Sequence, residues 1–176
     1  FESSAALYGN NVAFMQKFEK DQPYRSITYK EALADVNGLG TALINRGLKG
    51  KRIAIIGDTC YQWESSYLAV VGGAGVAVPL DKELGAEELK QLVREAEVSC
   101  VIFGRKHEKM FLDMKASGET GLETLVSFDA EGHSEEVLSW KALIEEGKNQ
   151  VAQGDRQLLD AEIDGDAMAV LLYTSG

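Results

Sequence analysis

Two apolar runs, Arg52-Ile53-Ala54-Ile55-Ile56 and Val76-Ala77-Val78-Pro79-Leu80, constrain this chain most. Each has strand length, and the first is too continuously apolar for a half-exposed hairpin, so it suits a parallel strand covered on both faces. Between them lie a Gly57-Asp58 turn, a helical stretch whose inner face is expected to be Trp63, Tyr67, Leu68 and Val71, and a Gly72-Gly73-Ala74-Gly75 stop. Strand, helix, strand with that crossover length is a parallel βαβ unit. Thr59-Cys60-Tyr61-Gln62 has the Ser/Thr-x-x-Glu/Gln spacing of a capping box and is expected to open that helix.

The alternation continues along the chain. Thr28-Tyr29-Lys30-Glu31 is a second capping box, and it leads a helix with Ala32, Leu33, Val36, Leu39, Leu43 and Ile44 on one face. Gly47 ends that helix as a C′ residue. Further helices are expected over 87–97, 106–116 and 139–151, and further strands at Ser99–Phe103, Thr124–Phe128 and Ala167–Leu172. Residues 1–24 read as a helical lead-in, with Val12, Phe14, Met15 and Phe18 on its apolar side. Residues 25–152 carry the βα repeats, 153–165 form an acidic linker, and 166–176 run from a strand into a loop. The fold class is therefore α/β, with a mostly parallel, helix-flanked sheet of about five strands. In such sheets ligands bind beyond the carboxyl ends of the strands.

Gly73-Ala74-Gly75 is not a dinucleotide fingerprint. That motif follows a strand and opens a helix, whereas here a helix precedes and a strand follows. Glu87, Glu88 and Glu95 read as solvated groups on an outer helix face, and Met110, Phe111 and Met114 as core. His133 lies in a polar loop with no nucleophile motif beside it. Cys60 and Cys100, the only cysteines, adjoin apolar stretches and read as free thiols. With only two histidines and no Cys/His cluster, the sequence offers no zinc-site pattern.

The net charge of −10 argues against a nucleic-acid surface or an anionic membrane surface, both of which recruit Lys and Arg. It permits an anionic ligand, because a local nest of backbone N–H groups binds phosphate regardless of total charge. No apolar run reaches the ~18–20 residues of a membrane span. The first residues lack a basic start followed by an apolar core, so no signal peptide is read there, and a cytoplasmic location is the expectation.

The chain closes on Ala167-Met168-Ala169-Val170-Leu171-Leu172 and then Tyr173-Thr174-Ser175-Gly176. An apolar strand running into Thr-Ser-Gly prepares a phosphate loop, since glycine lets backbone approach a ligand and small hydroxyls donate to phosphate oxygens. An ordinary polar turn is the plain alternative for those residues alone.

Taken in order, these stretches resemble the N-terminal subdomain of the adenylate-forming (AMP-binding) enzymes, a superfamily that includes acyl-CoA synthetases. Thr28-Tyr29-Lys30-Glu31 resembles the family's early "T-Y-x-E". Gly47 through Ile55 is similar to its "G-v-k-x-G-D-r-V-a-i", with Lys51 where the family usually has Asp. Tyr67 through Asp81 resembles "a-v-x-x-a-G-a-v-x-v-P-l". Leu171-Leu172-Tyr173-Thr174-Ser175-Gly176 is similar to the first half of "Y-T-S-G-T-T-G-x-P-K", the phosphate loop. Trp63, Tyr67–Val71 and Pro79–Leu84 lie nearest in pattern to bacterial long-chain acyl-CoA synthetases.

The resemblance implies a parent that activates a carboxylic acid, a fatty acid by this pattern, with ATP and Mg²⁺ and passes the acyl group to coenzyme A. It implies that Thr174, Ser175 and Gly176 begin the nucleotide-binding loop. It also implies that this chain is a fragment, inactive alone, whose remaining catalytic groups follow residue 176. The other readings are an adenylating enzyme that loads a carrier protein, and a non-catalytic α/β nucleotide-binding or scaffolding domain. Self-association through uncovered apolar surface and peripheral membrane contact are further expectations for partners.

Overall fold

The structure is a computed structural model that describes residues 1–18 and 21–173. Its centre is a five-stranded parallel sheet of β3 (Lys51–Ile56), β4 (Gly75–Pro79), β5 (Val98–Phe103), β6 (Thr124–Ser127) and β7 (Leu138–Ser139), in the order β4-β3-β5-β6-β7. The chain runs from β3 outward to β4, then crosses back over β3 to reach β5. The order therefore reverses between β3 and β5, the arrangement of a doubly wound sheet.

Alternation along the strands sends side chains into two cores. Ile53, Ile55, Ala77, Cys100, Ile102 and Val126 pack under α2 (Tyr29–Leu43), α3 (Tyr61–Ala69) and α6 (Trp140–Ala152). Ala54, Ile56, Val78, Val101, Phe103 and Leu125 pack under α4 (Ala86–Glu95) and α5 (Glu108–Ser117). With both faces covered, the strands carry the continuous apolar runs seen in the sequence.

The helix ends follow local chemistry. The Thr28 hydroxyl accepts from the Glu31 N–H at 3.2 Å, and the Glu31 carboxylate accepts from the Thr28 N–H at 2.8 Å, completing the expected capping box. Gly47, at φ +77°, takes the left-handed turn that ends the helix, and Gly73, at φ +127°, does the same ahead of β4. Gly75 lies so near β3 that a Cβ there would fall 2.4 Å from the Lys51 carbonyl oxygen. These glycines are a helix stop with close packing, as the sequence indicated.

Several expectations change. The apolar lead-in is a helix only over α1 (Glu2–Tyr8). Val12–Gln16 is a strand, β1, paired antiparallel with β2 (Arg25–Thr28). A register shift between Val12 and Phe14 disrupts the alternation that would have marked it. The Thr59 box does not form. Cys60 occupies the cap position of α3 without a side-chain cap bond, and the side-chain carbonyl of Gln16 accepts from the Tyr61 N–H instead.

The buried face of α3 is Tyr61, Ser65, Ser66 and Ala69, while Trp63, Tyr67, Leu68 and Val71 are half-buried at its flank. The stretch 167–172 joins the sheet at one parallel bridge, Ala77 with Val170. The fifth strand is the short β7, whose Ser139 also caps α6 by accepting from the Ala142 N–H. His133 is tied down: it accepts from the Ser139 N–H at 3.0 Å through Nδ1 and meets Glu146 at 2.7 Å through Nε2.

The acidic segment after α6 lies on the protein. Leu158 is buried against α2, where a Cβ on Gly40 would fall 2.7 Å from its Cδ2. Arg156 and Asp160 form a two-pronged pair, Nε to Oδ2 at 2.9 Å and Nη2 to Oδ1 at 2.7 Å.

Candidate functional site

Parallel strands end together, and their following loops gather at one end of the sheet. Here β3 ends in Gly57-Asp58, β5 in Gly104-Arg105 and β6 in Phe128-Asp129. The Gly104 N–H donates to the Ile56 carbonyl at 3.2 Å, and the Phe128 N–H donates to the Phe103 carbonyl at 2.9 Å, so the three loops leave in register. A Cβ at Gly57 would sit 3.2 Å from a Phe128 ring carbon and 3.5 Å from the Gly104 nitrogen. The two glycine backbones pack against each other and against the Phe128 ring.

A crevice of about 450 Å³ opens at this end of the sheet, with Gly57 and Gly104 among its lining residues. Its polar lining includes Gln16, Asp58 and Gln62, the basic Lys82, Arg105 and Lys106, and the acidic Glu83 and Asp129. It lies at the reversal point of strand order, where open α/β sheets bind ligands.

Its polar groups are organised by two carboxylates. Asp58 accepts from Lys82, on the loop after β4, and from Lys106, on the loop after β5, at 3.4 Å. The Lys82 hydrogen bond and the Lys106 charge hold the Asp58 carboxyl below its ordinary value, and Asp58 in turn raises Lys82. Asp129 accepts from the Arg105 N–H at 2.8 Å and so fixes the turn leading into α5. The His107 Nδ1 is buried and has no hydrogen-bond partner among the described residues. Burial raises the Cys60 thiol, which keeps it protonated at neutral pH.

A wider groove of about 760 Å³ continues past Phe18 and Phe128 toward Arg25, Asp35, Tyr61, Trp140 and Lys148. The Tyr61 hydroxyl donates to Asp35 at 2.7 Å, and Lys148 pairs with the other Asp35 oxygen at 2.7 Å. Burial first, and then the bond to Asp35, push the Tyr61 phenol up, so it stays a donor. Among the described residues no three His, Cys, Asp or Glu side chains are placed to hold a metal ion. The crevice is built to hold and orient charge.

The sequence-derived site residues Thr174, Ser175 and Gly176 lie outside the described residues. The segment that leads to them is described. The Ala77 N–H donates to the Ala169 carbonyl and the Leu171 N–H to the Ala77 carbonyl, both at 2.9 Å. Because the Ala77–Val170 bridge is parallel, the chain through Leu172 and Tyr173 heads toward the end of the sheet that bears Gly57 and Gly104. The crevice itself escaped the sequence reading, which took Gly57-Asp58 for a plain turn. The signal for it was the pair of strand-ending glycines followed by charged residues.

Comparisons with known proteins agree with this architecture. The family described as AMP-binding enzyme matches residues 1–176. Long chain acyl-CoA synthetase 2 of Arabidopsis thaliana is 31% identical over 85% of this chain and 22% of its own length. Long-chain-fatty-acid–CoA ligase 1 of Cavia porcellus is 30% identical over 95% of this chain and 25% of its own length. The crystal structure of a long-chain-fatty-acid-CoA ligase from Archaeoglobus fulgidus superimposes with a TM-score of 0.79 at 16% identity, covering 98% of this chain and 33% of that one. The chain thus spans about a quarter of the length of these curated relatives. No helix among the described residues is long and apolar enough to cross a membrane.

Proposed function

The chain belongs to the AMP-binding enzyme family, and on that premise we propose that it is the N-terminal part of an acid–thiol ligase acting on long-chain fatty acids. The observation that carries this reading is 30–31% identity to long-chain acyl-CoA synthetases over 85–95% of the chain. In the proposed reaction a fatty carboxylate attacks the α-phosphate of ATP. An acyl-adenylate forms and pyrophosphate leaves. The thiol of coenzyme A then displaces AMP and forms the thioester.

Negative charge builds on the leaving pyrophosphate, so backbone N–H groups and small hydroxyls gathered at that point stabilise it. We assign Thr174, Ser175 and Gly176 to the start of that loop, with β4 and the Ala77–Val170 bridge fixing the segment that delivers them. Mg²⁺, when bound with ATP, neutralises phosphate charge.

Two measurements test the reading. A longer protein containing this chain, given ATP, coenzyme A and a long-chain fatty acid, should form the acyl-CoA thioester. An acyl group found instead on a carrier protein would replace this reading with carrier loading. The 176-residue chain alone should form no acyl-adenylate and should bind ATP weakly or not at all in an isothermal titration.

A further inference from the structure

We propose that Leu158 is a positioning residue: seated between Gly40 and Gly73, it holds the segment 167–172 in place on β4. The seat is independent of the role assigned to Thr174, Ser175 and Gly176, whereas its effect on nucleotide binding rests on that role.

The segment joins the sheet at one point. Val170 bridges to Ala77, and the hydrogen bonds there are Ala77 N–H to the Ala169 carbonyl and Leu171 N–H to the Ala77 carbonyl. Val170 and Leu171 are half-buried, while Met168 and Leu172 are 56% and 64% exposed. So short a contact gains little from burial, and it must also close the loop that precedes it.

Leu158 shortens that loop. It is buried in the first core. A Cβ at Gly40 would fall 2.7 Å from its Cδ2 and 3.1 Å from its Cδ1. A Cβ at Gly73 would fall 3.5 Å from the same Cδ1 and 3.3 Å from the Ala161 Cβ. Leu158 and Ala161 thus fill the space that side chains at both glycines would take. The Ala161 N–H donates to the Leu158 carbonyl at 3.1 Å, so the two residues make one turn. Asn45 steadies its approach, donating to Asp155 at 2.7 Å and accepting from Gln157 at 3.3 Å.

The segment is therefore held at Ala161 by Gly73 and at Val170 by Ala77, the two ends of one short stretch leading into β4. With Leu158 seated, the bridge closes a loop from Ala161 to Val170. Without its side chain that loop lengthens toward α6, whose end at Ala152 lies about twice as far back. Doubling a loop makes its closure about threefold less favourable.

The test is amide hydrogen exchange in the ¹⁵N-labelled chain and in its Leu158→Ala and Leu158→Met variants. The Ala77 and Leu171 N–H groups report the bridge, and those of Ile55 and Ile102, in central strands, report the whole fold. In Leu158→Ala the bridge amides should exchange about threefold faster or more relative to Ile55 and Ile102. Leu158→Met, of similar volume, should restore the parent ratio. Leu89→Ala, in the second core, should not raise it. If Leu158→Ala does not fold, Gly40→Ala, which crowds the same seat from α2, should raise the ratio instead. An unchanged ratio, or faster exchange spread evenly over all four amides, would overturn the proposal.

In the longer protein, Leu158→Ala should raise the KM for ATP in ATP–pyrophosphate exchange and leave the KM for the fatty acid unchanged. An unchanged KM for ATP in an active variant would overturn the effect on nucleotide binding. Absence of exchange in the unsubstituted longer protein would strike the reaction reading alone, and the amide ratio would still judge the seat.

Discussion

Gly147 on α6 lies against the carbonyl of Gly38 on α2 so closely that a Cβ at Gly147 would fall 1.7 Å from that oxygen. The reverse approach is nearly as tight, with a Cβ at Gly38 placed 2.6 Å from the Ile144 carbonyl oxygen. This crossing seats α6 over α2. It also brings Lys148 to Asp35, and so builds the floor of the groove beside the crevice. Gly147→Ala should push the two helices apart and destabilise the chain by about 3 kcal/mol or more. The urea midpoint of the variant measures this.

The Tyr61 hydroxyl donates to Asp35 from a nearly fully buried ring. Tyr61→Phe keeps the ring and its edge contact with Trp140, whose centroid is 6.1 Å away, but deletes the donor. The expected loss is about 1–2 kcal/mol in equilibrium unfolding, because Asp35 loses one partner while Lys148 stays.

The Thr28–Glu31 capping box gives acid sensitivity a definite sign. The Thr28 backbone N–H, and then its hydroxyl, hold the Glu31 carboxyl below its ordinary 4.5. A carboxyl whose folded value is depressed binds its proton more readily in the unfolded chain. Its contribution is therefore full above about pH 5 and is lost as pH falls through the folded value. Thr28→Ala should cost about 1 kcal/mol at neutral pH and less in acid. The difference between the unfolding curves of the two proteins should be smaller at about pH 3.5 than at about pH 7.

The two cysteines should separate by reactivity. Burial pushes the Cys100 thiol up to about 12, and its side chain is wholly covered by the first core. Cys60 is half-buried at the crevice wall. A thiol reagent should label one cysteine slowly in the folded chain and both in denaturant. Peptide mapping should place the native label on Cys60.

The sheet was legible because both of its faces are covered. Residues 53–56 and 100–103 are apolar throughout, and that continuity shows in the sequence without knowledge of partners. The Thr28 box and the Gly47 stop were equally local. Elements decided by distant partners were not legible. Val12, Phe14, Met15 and Phe18 mimic a helical stripe, and only pairing with Arg25–Thr28 makes that stretch a strand. Thr59 has the spacing of a cap, yet Gln16, forty-five residues from Tyr61, takes the N–H and shifts the helix start. The crevice depends on strand order, which the alternation of elements does not specify. Lys82 and Lys106 are twenty-four residues apart in sequence and meet only through Asp58.

The central claim is adenylation of a fatty acid by the protein that contains this chain. ATP–pyrophosphate exchange tests it most directly, run on that longer protein against a panel of carboxylic acids. The account predicts exchange that depends on a long-chain fatty acid and falls sharply when Thr174 and Ser175 are both changed to Ala. A folded protein that shows no exchange with any acid, or exchange indifferent to that double substitution, would contradict it.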